Sequence, residues 1–293
     1  TKAFEMLIQE QMHLAVARLT LTPGKLRNSE EIEAAGVREG WLKGLALIQS
    51  IGANTRYFTD QSPKIPLEVA KGDAAAGMCI DFYGRAAEED VRQPDGTSRI
   101  GFVAPLGGTA VSVDPVAMLR GAPEPEVAQG FMEFVLSEAG QKLWNYKVRM
   151  PGGPETTALR RLPIRKDMYT TQHLPLMSDP NEQPFEKAKA FIYRPEWTAS
   201  TFNVIRFLVR VMCVDPHDEL QQAWKEIAAQ GSPPRALEAL HQVQHVNYDT
   251  AINDLSRILA SRDKVLEVRE ARRLSDNFRR QYLRASSYGV AGR

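Results

Sequence analysis

Residues 56–85, RYFTDQSPKIPLEVAKGDAAAGMCIDFYGR, are the part of this chain whose reading decides the fold. A β-rich stretch ends in Thr59, Asp60 and Ser62, and Pro63 then opens a predicted helix. A Gly72-Asp73 pair breaks that helix, and a run of small apolar residues from Ala74 to Ile80 delivers Asp81, Phe82 and Tyr83. Polar side chains gathered at a strand end beside a helix N-terminus are how open α/β sheets build ligand sites. Ser62 is placed to cap the helix with Pro63 at its first position. The free amides there would suit a carboxylate or phosphate-like group, with Thr59 adding a hydroxyl. Asp60 would oppose an anion unless it meets a cation or an amine.

On a strand, Asp81 and Tyr83 share one face while Phe82 points the other way. A carboxylate and a phenol on one face offer two oxygens to a hard cation, or an acceptor and a hydroxyl to an organic ligand. Arg85 follows within reach as a charged contact. The candidate ligand residues are therefore Thr59, Asp60, Ser62, Asp81, Tyr83 and Arg85, with Asp81 and Tyr83 as the metal-capable pair. No nucleophile–base pair accompanies them, so the segment reads as a place to hold something.

Outward from this segment, period and punctuation give the remaining elements. Phe4, Leu7, Ile8, Gln11, Met12 and Ala15 form a helical stripe that stops before Thr22-Pro23-Gly24. Asn28 with Glu31 reads as a capping box, and Trp41, Leu45 and Ile48 as the apolar face of the helix it opens. Strands are predicted at Thr55–Phe58, Ala74–Phe82, Arg99–Ala104 and Ala110–Val113. Val127, Phe131, Phe134 and Val135 line one face of a helix, and Ser137 caps a second, over Glu138–Tyr146. Alternating strands and helices make this α/β. Seven prolines from Pro151 to Pro195 then mark a long irregular segment. Beyond it, helices are predicted at Thr201–Cys213, Asp218–Ala229, Arg235–Gln242, Asp249–Ala260 and Arg262–Arg284. The arginines of the last one read as a solvated face, with Leu266, Leu274 and Phe278 inward.

Composition restricts the function classes. The 293 residues are 43% hydrophobic and 25% charged with a net charge of +1, which exerts no general pull toward nucleic acid or acidic lipid. Two cysteines, Cys79 and Cys213, exclude a disulfide scaffold and read as free thiols. His241 and His245 share a spacing of four, but Gln242 stands where a zinc protease needs Glu. Arg160, Arg161, Arg165 and Lys166 read as a basic surface patch.

The order strand, polar loop, helix, Gly-acid pair, apolar strand and aromatic pair resembles the periplasmic solute-binding proteins of ABC importers, in the ferric-iron subclass. Support comes from TKAFEMLIQEQM at the start, from Gly101–Trp144 and from MPGGPETTALRRLPIRKDMY at Met150–Tyr169. The resemblance implies a bilobal periplasmic-binding-protein type II fold, incomplete at its N-terminal side, with a helical C-terminal extension. It divides the chain into residues 1–103 in lobe 2, 104–150 returning to lobe 1, an irregular segment 151–198 and a helical region 199–293. It further implies the C-terminal part of a longer, monomeric chain, periplasmic or membrane-tethered, its signal peptide removed. Such a protein delivers a solute to an ABC permease in the inner membrane, needs no cofactor and does not bind nucleic acid. Ferric iron is the solute of that subclass, bound there by adjacent tyrosines. Here Phe82 occupies one of those positions and only Tyr83 keeps the phenol, so a small anion or carboxylate competes with iron as the solute. An enzyme recruited on the same fold, or a docking module using 199–293, are the other readings.

Overall fold

In the computed structural model, residues 1–22, 24–26, 28–105, 107–109, 111–112 and 114–290 are described. They divide into two compact units, one made of Thr1–Phe58 with Tyr193–Arg293, the other of Thr59–Ile192.

The first unit is all helix. Helix α1, Lys2–Leu21, and helix α2, Ser29–Asn54, form a hairpin. The Asn28 side chain accepts the Glu31 N–H at 2.8 Å, so α2 starts where the capping residue predicts. Three glycines four residues apart let the two helices touch. A Cβ added at Gly40 would lie 2.2 Å from the Met12 Cα, and Gly36 and Gly44 meet Val16 and Ile8 in the same way. Buried Trp41, Leu45 and Ile48 then face Leu208, Val211, Phe278 and Tyr282 in one apolar core. The predicted C-terminal helices appear as Phe202–Val209, His217–Ala229, Pro234–Leu240 and Lys264–Val290. A further helix runs from Tyr248 to Ala260 through a π-helical turn at Ala251–Leu255. Another π-helical turn, Arg210–Val214, seats Cys213 against the Ile48 carbonyl.

The second unit carries helix α3, Lys64–Lys71; α4, Asp81–Asp90; α5, Pro125–Leu136; and α6, Glu138–Asn145. Here the α/β expectation is corrected: the described residues contain no strand and no sheet, which conflicts with a periplasmic-binding-protein type II fold. Among the described residues only two isolated bridges occur, Arg92 with Ser98 and Tyr146 with Met177. A strand exists only by hydrogen bonding to a neighbour, and residues 55–58, 74–80 and 99–104 pair with none. The run 74–80 lies instead along α3, where the missing side chain of Gly77 makes room for Ile65. The predicted strand also ends early, because Asp81 and Phe82 already belong to α4. Ala110 and Val113, which bound the fourth expected strand, lie outside the described residues.

The irregular segment after α6 is pinned to that helix's C-terminal end. The last carbonyls of a helix lack intrahelical partners. That of Trp144 accepts the Arg161 N–H at 2.9 Å, and that of Asn145 accepts the Ser178 N–H at 2.7 Å. Tyr146, Met168 and Met177 are buried together beside these bonds, and the Tyr146 hydroxyl sits 2.5 Å from His173 Nδ1.

Candidate functional site

The first turn of α4 and the segment pinned to α6 converge on one charged cluster. Asp81 begins α4 and pairs with Arg85 one turn later, at 2.7 Å. Arg85 is buried, with 7% of its side chain exposed. Its Nη2 donates to the Arg160 carbonyl at 2.8 Å. Its Nε lies 3.3 Å from Asp179 Oδ1 but is not aligned for a hydrogen bond. Asp179 is the centre of the cluster. Arg160 donates to Asp179 Oδ1 from Nη2 at 2.6 Å and from Nε at 3.2 Å, and Asn145 donates to Oδ2 at 3.0 Å. The Asp179 N–H in turn bonds Asn145 Oδ1 at 3.2 Å. Two arginines thus share one buried carboxylate, and the balancing charge comes from half-exposed Asp81 and, at 3.7 Å from Arg160, exposed Glu89. Arg160 reaches this position with a left-handed backbone, φ 56°, which sends consecutive arginines in different directions.

Arg161 goes the other way. Its guanidinium lies 4.0 Å over the Phe82 ring and 5.8 Å from that of Trp144, and it pairs with Asp114. Phe82 and Tyr83 pack ring to ring at 4.2 Å. Cys79 Sγ lies where a Cβ on Gly84 would reach it, and burial with the Asp81 carboxylate raises its thiol pKa. Burial likewise pushes Cys213 up to about 12, and both cysteines are free. Tyr169, whose hydroxyl donates to the Pro163 carbonyl at 2.8 Å, is raised well above the normal phenol range by burial.

The six expected ligand residues separate into two groups. Asp81 and Arg85 meet directly, and Tyr83 joins the aromatic stack. Thr59 turns into its own loop, accepting the Gln61 N–H at 3.1 Å, and Asp60 is exposed. Ser62 does not cap α3, because Pro63 takes the cap position and no side chain bonds there. Helical geometry also alters the metal-capable pair. Two residues apart on a helix project about 200° apart rather than on one face, so Asp81 and Tyr83 diverge. Among the described residues no three His, Cys, Asp or Glu side chains come together as a metal set, and no helix is long and apolar enough to cross a membrane. Sequence reasoning missed Asp179, Asn145 and Trp144, which are far from α4 along the chain and carry no spacing signal.

The sequence model of bacterial extracellular solute-binding proteins matches residues 10–159, more than half of the chain, including all of α4. This chain belongs to that family. No curated protein and no solved structure matches it. In this solute-binding protein the matched residues carry Asp81, Phe82, Tyr83, Arg85, Asp114 and Trp144, and the match stops one residue before Arg160.

Proposed function

We propose that this protein is the substrate-capturing component of an ABC importer, working in the periplasm or tethered at the outer face of the membrane and handing a small solute to a permease. The reading rests on one observation above others: the solute-binding family match spans the α4 segment, where polar and aromatic side chains cluster with guanidinium groups. The solute is held rather than transformed, and loading shifts the protein toward the state the permease engages.

A small anion suits these residues better than ferric iron. The Asp81 carboxylate is already engaged by Arg85, Phe82 has no donor atom, and Asp81 and Tyr83 leave α4 on different sides. Arg85, Arg160 and Arg161 bring three guanidinium groups to this part of the unit. Native and elemental mass analysis of protein purified without added metal tests the reading. An organic anion released on denaturation is the expected result. Stoichiometric iron without an organic adduct would overturn the anion assignment. Failure to retain or bind any solute from growth-medium extracts would overturn the transport reading itself.

A further inference from the structure

Of the three arginines in the cluster, two are committed. Arg85 and Arg160 are largely buried and share the Asp179 carboxylate, so little of either guanidinium reaches solvent. Arg161 differs in each respect. A third of its side chain is exposed, and the flat guanidinium rests on the Phe82 ring with Trp144 close by. Stacking on aromatic faces fixes the plane of a guanidinium and leaves its N–H edge for planar, two-pronged recognition of a carboxylate. One N–H of that edge, on Nη1, is taken by Asp114, whose side chain is 80% exposed in a stretch without regular hydrogen bonding. An exposed ion pair of this kind contributes only about 0.2–1 kcal/mol. It is therefore easily exchanged for a carboxylate that gains further contacts. Tyr83 stacks on Phe82 in the same cluster, and among the described residues no hydrogen bond engages its hydroxyl or the Trp144 indole N–H.

We infer that Arg161, set on Phe82 and Trp144, is the anchor for a carboxylate-bearing solute, and that Asp114 is an internal stand-in which the solute displaces. This rests on the solute-capture reading and names its ligand class. The displacement is an exchange of one ion pair for another with no covalent step, so it is freely reversible and suits a carrier that must also release its cargo.

The test is calorimetric titration of the full chain with succinate at constant ionic strength, for the wild type and three variants. Removing the competitor with Asp114→Asn should tighten succinate binding up to about fivefold, the factor that an exposed ion pair allows. Arg161→Gln should abolish binding. Arg161→Lys, which keeps the charge but loses the planar fork, should bind more weakly than wild type, and circular dichroism and melting establish that each variant is folded. Unchanged affinity in Asp114→Asn, wild-type affinity in Arg161→Gln, or no succinate binding by either wild type or Asp114→Asn would each overturn the anchor. The two readings fail separately: a co-purified solute still retained by Arg161→Gln would sink the anchor while leaving solute capture standing.

Discussion

The unit of Thr1–Phe58 and Tyr193–Arg293 encloses large apolar side chains from nearly every helix, whereas the unit of Thr59–Ile192 closes its apolar cluster over Tyr146, Met168 and Met177. Helix α5 sharpens the contrast. Its apolar face shows Val127 at 69% and Phe131 at 61% exposure, while Trp41 in α2 is fully buried. One unit is held by burial of surface and close helix approach. The other is held by hydrogen bonds from an irregular segment to the end of α6 and by charges shared around Asp179. Scarcity of apolar burial goes with concentration of charge, and the more weakly packed unit is the one bearing the proposed site. Ligand-binding loops and elements that move are drawn from the less stable parts of a protein.

The largest effect should come from the apolar core. Trp41 is buried, donates its indole N–H to the Val246 carbonyl at 2.8 Å and packs edge-on to Tyr248. Trp41→Ala should cost about 4 kcal/mol by chemical denaturation, in line with aromatic deletions from cores; a cost under about 1 kcal/mol would show that burial in this core is not what chiefly holds the helical unit together. Next is the polar clamp. Asp179→Ala leaves Arg85 and Arg160 buried without their shared carboxylate and should cost about 3 kcal/mol. Hydrogen exchange should place that loss in Thr59–Ile192, and loss confined to the helical unit would erase the contrast. Gly40→Ala forces a methyl against the Met12 backbone and should cost about 2 kcal/mol.

The smallest effect is a pH dependence of the helical unit. Burial lowers the pKa of His241, which touches Ser50 Oγ at 2.9 Å, and of His245, where Arg273 adds to the effect. The unfolded chain then binds protons more readily than the folded one, so stability rises with pH. The contribution is present above about 6.5, the unfolded histidine value, and is lost as pH falls through the lower folded values. Urea midpoints between pH 7 and about 5 should therefore fall less in the His241→Gln, His245→Gln double variant than in wild type.

How much of this could be read beforehand follows from the range of the interactions. The helices were legible because their signals are local: the Asn28 cap, the Ser137 cap and the apolar spacings each lie within one or two turns. The strands were not, because 74–80 has the composition of a strand but only a pairing partner would make it one. Asp81 was picked out for the wrong geometry, as a strand end instead of a helix start. Arg85 was named as a ligand candidate, yet the buried carboxylate that it shares with Arg160 lies 94 residues on, at Asp179, with no motif linking them. The pair Arg160-Arg161 read as one basic patch, and the left-handed backbone that splits it has no glycine to announce it.

Hydrogen–deuterium exchange with and without saturating succinate addresses the link between the weaker unit and binding most directly. Slowed exchange in peptides covering residues 81–85, 144 and 160–161, with α2 and the helix Lys264–Val290 unchanged, is the outcome that follows from a carboxylate seated on Arg161. Protection in the helical unit alone, or none in the α4 segment, would contradict it.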